Sequence, residues 1–173
     1  ELFRQAADQI ALGYAELALV VGTESMTRNP IAAYTHRTGF KLGAPVEFKD
    51  FLVEALNDTA GPVTMIETAE NLARKYGISR ADVDAYAARS FELALKAQAD
   101  GFHAGEIVPV VIEDFALDGY HTRGIRLPRK VDQVAQDTHP RPSPAEALAK
   151  LRSVYAGGVQ TAGNSSALVD AAV

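Results

Sequence analysis

Leu17-Ala18-Leu19-Val20-Val21-Gly22 is an unbroken apolar run closed by a glycine. A run of this kind suits a strand covered on both faces, as in a sheet with helices on each side. The residues before it read as helix. Phe3, Ala7, Ile10 and Tyr14 fall on one face at helical spacing, and Gly13 suits the left-handed residue that closes a helix. Helix followed by buried strand is half of an α/β unit. Far along the chain, Val159-Gln160-Thr161-Ala162 reads as a returning strand, turned by Gly163-Asn164-Ser165-Ser166. Val20 is expected to lie in a sheet beside it. The fold class predicted is α/β.

Between these two runs the texture is different. Asn29-Pro30, Gly39, Gly43, Pro45 and Gly61-Pro62 are turn signals, so residues 23–62 read as an irregular excursion with a short helix near Phe51 to Leu56. Glu67 to Lys75 is helical and closed by Gly77. Ser79 caps the next helix with Asp82 at its third position, and Gly101 ends it. Val83, Ala87, Ser90, Phe91, Ala94 and Ala97 mark that helix's inner face. Ile107 to Ile112 reads as a strand, with Pro109 placing it at an edge. Residues 114–142 read as loop or hairpin. Ser143-Pro144-Ala145-Glu146 reads as a capped helix start, with Leu148 and Leu151 inward and Gly157-Gly158 at the end.

The composition narrows the function. The chain has 173 residues, 47% of them apolar, and a net charge of −5. That is one domain or part of a larger one, with enough apolar content to build a core. This mild acidity gives no reason to expect nucleic acid as the main partner, because binding its phosphates needs clustered Lys and Arg. No apolar run is long enough to span a bilayer. There is no Cys, which removes disulfides, thiolate metal sites and any cysteine nucleophile supplied by these residues. That composition is compatible with a cytoplasmic protein. Both ends run into apolar, helix-like or strand-like sequence without caps, so the chain is expected to be an internal piece of a longer protein.

Nucleotide-phosphate loops and the strained serine elbow of hydrolases are missing. His36, His103, His121 and His139 are scattered, and none has metal-ligand spacing, so no metal is expected. Glu67 and Glu70 sit near a helix start, where carboxylates are stabilising without further function. Arg123, Arg126, Arg129, Lys130 and Arg141 form a local basic excess that suits a polyphosphate ligand or a solvated face. Ala162-Gly163-Asn164-Ser165-Ser166 suits close backbone approach to a ligand, or simply a tight turn.

Five segments, in order, are similar to a known family. Gly22-Thr23-Glu24-Ser25-Met26 resembles the GG-x-E-S-M segment of thiolases. The helix that opens Met65-Ile66-Glu67-Thr68-Ala69-Glu70-Asn71 resembles their M-G-x-T-A-E-N. Glu106-Ile107-Val108-Pro109-Val110 matches E-I-V-P-V. Asp137-Thr138-His139-Pro140-Arg141-Pro142, with Glu146 to Leu151, is similar to D-E-x-P-R-P and L-x-A-L-A-K-L. Thr161-Ala162-Gly163-Asn164-Ser165-Ser166 resembles T-A-G-N-A-S.

This resemblance implies a thiolase-like layered α/β fold with an α-rich loop-domain insertion. Residues 1–24 would belong to the core, 25–158 to a loop domain covering coenzyme A, and 159–173 to the return into the core. The implied activity is coenzyme A-dependent acyl transfer in fatty acid metabolism: condensation, or thiolytic cleavage of 3-ketoacyl-CoA. The family's nucleophilic Cys would fall before Glu1, and its His and second Cys after Val173, so these residues hold no catalytic group and are expected to be inactive alone. Coenzyme A or acyl-CoA is substrate, with no covalently bound cofactor. The resemblance carries ligand contacts onto Leu56 and Met65 (pantetheine tunnel), Arg141 (nucleotide), Tyr155 (near adenine), and Ala162 and Ser166 (pantetheine). Arg141 is expected to be fixed near the helix start at Ser143. A homo-oligomer is the expected assembly. The alternative is a non-catalytic thiolase-like module that binds acyl-CoA or mediates oligomerisation.

Overall fold

Helix α1 (Leu2–Ala11) forms where the apolar periodicity places it, and Gly13 takes a φ of +74° just beyond its end. The computed structural model describes residues 1–34, 37, 39–116 and 123–173. His36 and His121 lie outside the described residues, as does part of the expected hairpin. After α1 come β1 (Thr23–Ser25), a 3-10 turn at Met26–Arg28, β2 (Ile31–Ala32), β3 (Lys49–Asp50) and α2 (Phe51–Ala55). Then follow α3 (Met65–Tyr76), α4 (Arg80–Ala99), β4 (Val110–Val111), β5 (Glu113–Phe115), β6 (Arg123–Ile125), β7 (Gln133–Val134), α5 (Ala145–Leu148) and β8 (Asp170–Ala172). They group into two units: Glu1–Thr68 with Ala167–Val173, and Ala69–Ser166.

In the first unit β1 pairs antiparallel with β8, Glu24 opposite Ala171. Gly22 and Val173 extend this pairing by exchanging backbone hydrogen bonds of 2.7 and 2.8 Å. Asp170 then closes the corner: its carboxylate accepts the Thr27 hydroxyl at 2.6 Å and the Thr27 amide at 3.0 Å. These two bonds hold the Asp170 carboxyl below the usual carboxylate range. β2 pairs with β3, and Asp50 caps α2 by accepting the Leu52 amide.

Two expectations about the sheet are corrected here. Leu17 to Gly22 is not a strand; the ladder begins at Thr23. Leu17 and Leu19 are 88% and 89% exposed, so no described residue supplies the neighbours a two-sided strand needs. The partner of the returning chain is also different. Residues 170–172 come back to β1, whereas Val159 to Ala162 forms a turn whose one ladder contact is a bridge between Thr161 and Ser153. The face that carries Phe3, Ile10 and Tyr14 is exposed. Leu2, Gln5, Ala6 and Gln9 of α1, not Phe3 or Tyr14, border a groove with Leu19 to Val21.

In the second unit β4 pairs with β7 and β5 with β6, both antiparallel. The expected strand from Ile107 to Ile112 shortens to Val110–Val111, consistent with Pro109 at its edge. Arg126 pairs with Asp114 across the β5–β6 hairpin, so this member of the basic excess serves the hairpin. The helix expected from Ser143 to Gly157 is one turn, α5. Its N-cap is Pro144, because the Ser143 hydroxyl donates to the Arg141 carbonyl at 3.1 Å and caps nothing. Among the described residues the buried apolar side chains are Ala73 and Leu148; the other buried side chains, Glu70, Asp84 and Thr161, are polar.

Candidate functional site

The two long helices start with local signals that the structure uses as written. At α3, the Glu67 carboxylate accepts the Thr64 amide at 2.7 Å while the Glu67 amide donates to the Thr64 hydroxyl. At α4, Ser79 and Asp82 make the reciprocal box. The Ser79 hydroxyl and then its amide donate to Asp82 and hold that carboxyl below its usual range. Gly77, at φ +66°, lets the chain reverse between the helices.

Those helices place three polar side chains, Glu70, Arg80 and Asp84, around the turn at 159–166. Glu70 of α3 is 5% exposed, and its carboxylate accepts the amides of Val159 and Gln160 at 2.9 and 2.8 Å. Asp84 of α4 is 3% exposed. One of its oxygens accepts the Asn164 side-chain amide at 2.8 Å, and the other accepts Arg80 Nε at 2.8 Å. Arg80 Nη2 reaches on to the carbonyls of Leu148 and Leu151 at 2.7 and 3.0 Å. Asn164 also donates to the Val159 carbonyl and accepts the Thr161 amide at 2.7 Å. The Thr161 hydroxyl, fully buried, accepts the amides of Gly163 and Asn164. Each buried charge therefore has partners, which is the condition for tolerating it.

This arrangement leaves specific groups available. Among the described residues, the amides of Ala162, Ser165 and Ser166 and the Ser166 hydroxyl have no hydrogen-bond partner. The glycine between them is needed for packing rather than for ligand approach: a Cβ at Gly163 would lie 2.7 Å from Leu148 Cδ2 and would also overlap Leu151. Gly158 is similar, since a Cβ there would sit 2.5 Å from Glu70 Oε1. Gly163 to Ser166 form one wall of an open cleft of about 620 Å³; α4 supplies the facing wall with Val83, Ala87, Phe91 and Ala94. The inner face expected for α4 is thus a half-buried cleft wall.

The residues singled out from sequence fall in both units. Leu56 ends α2 and Met65 opens α3; both are partly exposed, and the bridge between Asn57 and Thr64 brings their segments together. Ala162 and Ser166 lie on the turn, and Ser166 borders the cleft. Tyr155 is 41% exposed at the turn after α5, where its carbonyl accepts the Ser153 hydroxyl. Arg141 lies beside the cleft residues His139 and Pro140. Its guanidinium carbon is 5.2 Å from the Phe91 ring centre, and His139 is 5.7 Å from the same ring. The expected helix start beside Arg141 is a single turn, so Phe91 fixes the guanidinium instead. Among the described residues no three His, Asp or Glu side chains converge as a metal would require.

Residues 3–173 match the family model of the thiolase N-terminal domain. The chain belongs to the thiolase family. The thiolase assignment carries the mixed α/β fold with it. The chain is 40% identical over 170 residues to a beta-ketoadipyl-CoA thiolase of Pseudomonas knackmussii, covering 95% of this chain and 39% of that protein. It is 38% identical over 160 residues to the mitochondrial 3-ketoacyl-CoA thiolase of Bos taurus, covering 91% and 37%. Among solved thiolases, human mitochondrial 3-ketoacyl-CoA thiolase in complex with CoA superposes with a TM-score of 0.76 at 32% identity, over 98% of this chain and 39% of that one. The chain thus spans about two fifths of the length of the curated thiolases it matches.

Sequence reasoning misses Glu70, Arg80, Asp84 and Asn164 as the frame of the thiolase turn. It gives Glu70 a helix-end electrostatic role, which Glu67 alone fills. One signal is present: Asp84 follows Val83 on the inner side of α4, where an unpaired charge would be costly, and Arg80 stands four residues before it.

Proposed function

We propose that this chain is the part of a thiolase that covers coenzyme A, within an acyltransferase that condenses acyl-CoA units or cleaves 3-ketoacyl-CoA. Residues 25–158 form the cover, and residues 1–24 and 159–173 join the core. The pairing of β1 with β8 at the two ends of the excursion supports that division. The observation that carries the reading is the 159–166 turn. Its frame fixes a backbone whose amides at Ala162, Ser165 and Ser166, with the Ser166 hydroxyl, are available to an extended ligand rich in carbonyl and amide groups.

Leu56 and Met65 provide apolar walls for the pantetheine arm, Arg141 meets the anionic nucleotide end, and Tyr155 stands near the adenine. The chain binds and orients the thioester and excludes water. A thioester both exchanges acyl groups readily and acidifies its α-carbon. The nucleophile and proton-transfer groups come from outside these residues, since the chain has no Cys. Coenzyme A is substrate, and no covalent cofactor is involved. A homo-oligomer in the cytoplasm is the assembly that the family resemblance implies for the whole protein.

The test compares the whole protein with the 173-residue chain, using acetoacetyl-CoA and free coenzyme A. Turnover by the whole protein and none by the chain is the expected result. Coenzyme A binding without turnover in the whole protein would favour the non-catalytic carrier or scaffold. Turnover by the chain alone would overturn the division of labour.

A further inference from the structure

Of the groups that the turn offers to a ligand, the Ser165 and Ser166 amides and the Ser166 hydroxyl come immediately after Asn164, and Asn164 makes three side-chain hydrogen bonds. Its Oδ1 accepts the Thr161 amide at 2.7 Å, and its Nδ2 donates to the Val159 carbonyl at 2.9 Å and to Asp84 at 2.8 Å. Reversing the amide would set an NH2 group against the Thr161 N–H and an oxygen against two acceptors. Only one orientation satisfies all three. Two of the three partners belong to the turn itself and move with it. Asp84 is the partner on a separate, rigid element, the 20-residue helix α4. Its own carboxylate is fixed by Arg80, which is in turn fixed on the carbonyls of Leu148 and Leu151.

We infer that Asp84, acting through Asn164, is a positioning residue that sets the direction of the Ser165 and Ser166 amides for the proposed coenzyme A arm. The ligand part of this inference rests on the function proposed above. Without the Asp84 acceptor, the turn keeps its internal bonds to Asn164 but loses its connection to α4. The backbone after Asn164 then samples other directions. A ligand that needs two adjacent amides in one orientation loses affinity, while a fragment bound elsewhere does not. Asp84 touches no ligand in this scheme.

The test uses the whole protein with Asp84→Asn, Asn164→Asp and the double exchange. In Asp84→Asn the new amide can satisfy Arg80 only by turning its NH2 toward the Asn164 NH2. In Asn164→Asp two carboxylates face each other. In the double variant the amide introduced at position 84 accepts from Arg80 and donates to the carboxylate introduced at position 164. That carboxylate still accepts the Thr161 amide, and the Val159 carbonyl is the one contact left unmatched. Two readouts are taken: hydrogen exchange of the Thr161, Gly163 and Asn164 amides without ligand, and affinity for coenzyme A, pantetheine and adenosine 3′,5′-bisphosphate. In variants that alter position 164, exchange is followed at the backbone amide of that position.

Each single variant is expected to speed exchange at those amides and weaken coenzyme A and pantetheine by about tenfold. The bisphosphate should keep its affinity, and the double variant should recover part of both losses. Unchanged exchange, equal loss for all three ligands, faster exchange throughout α4, or no recovery in the double variant would each overturn the inference. If the unaltered protein takes up neither coenzyme A nor pantetheine, the ligand role falls with the proposed function. The exchange data then still decide whether Asp84 positions the turn.

Discussion

Glu70 and Val159 are 89 positions apart in sequence, and the Glu70 carboxylate accepts the Val159 amide with both oxygens, at 2.9 and 3.1 Å. The Gln160 amide joins them at 2.8 Å. This contact ties α3 to the start of the turn. Glu70→Ala leaves two amides without their acceptor in a place where water has little access. A charge-assisted hydrogen bond of this kind is worth roughly 1.5–3 kcal/mol, so a loss of about 2–3 kcal/mol in urea denaturation of the whole protein is expected. Glu70→Gln keeps one acceptor oxygen and should lose less. Equal stability of all three proteins would show that the turn is held by other means.

Gly163→Ala tests the packing of the same turn from the opposite side. The added methyl would meet Leu148 Cδ2 at 2.7 Å, and Leu148 is buried. Overpacking of this kind costs about 1–3 kcal/mol. The double variant Gly163→Ala with Leu148→Val should be more stable than Gly163→Ala alone, because shortening the Leu side chain makes room. If the second substitution only adds to the damage, the overlap with Leu151, the nearer neighbour of the added methyl, sets the cost and the contact with Leu148 does not.

The Ser79–Asp82 box has a pH signature. The Asp82 carboxyl is held below its ordinary value by the Ser79 hydroxyl and amide. The folded state therefore binds fewer protons than the unfolded state between the two pKa values. Its contribution is present above the unfolded value of about 3.9 and is lost as pH falls through the lower folded value. Ser79→Ala should destabilise the first turn of α4 by about 1 kcal/mol at neutral pH. The gap between variant and parent should narrow below about pH 4, read by hydrogen exchange at Asp82 and Val83. Asp170 with Thr27 carries the same sign. A gap that widens on acidification would contradict the assignment.

The helices are legible because their signals are local. Gly77, Ser79, Asp82 and Gly101 act within a few residues of where they stand, and α3 and α4 begin and end close to them. Leu17 to Gly22 misleads because an apolar run becomes a strand only beside a partner, and among the described residues no strand pairs with Leu17 to Val21; the ladder to Asp170–Ala172 begins at Thr23. The helix from Ser143 stops after one turn for a similar reason. Arg80 binds the carbonyls of Leu148 and Leu151, and Leu148 and Leu151 pack where Gly163 has no side chain. Gly163 itself is legible as a close approach, although the approaching group is Leu148. The family's motifs mark Ala162 and Ser166 on the turn and include Glu70 in the M-G-x-T-A-E-N helix, but nothing in them says that Glu70, Asp84 and Arg80 hold the turn. Their partners lie 68 to 90 positions away.

Arg141 provides the sharpest test of the proposed ligand orientation. Its guanidinium stands 5.2 Å from the Phe91 ring centre, and one of its N–H groups reaches the His139 carbonyl at a weak 3.4 Å. The ring holds the planar cation in place without using up most of its donors, which is the state a phosphate-reading Arg requires. A charge-assisted contact to phosphate is worth roughly 1.5–3 kcal/mol, so Arg141→Ala in the whole protein should weaken coenzyme A about tenfold or more. A pantetheine thioester, which lacks the nucleotide, should bind with little change. Phe91→Leu keeps an apolar cleft wall but removes the stacked ring, and should weaken coenzyme A by less than Arg141→Ala with the same ligand selectivity. Arg141→Lys keeps the charge but loses the planar fork and should fall between parent and Ala. Equal loss of coenzyme A and the pantetheine thioester in Arg141→Ala would mean that Arg141 supports the α4 cleft and does not read the phosphate end.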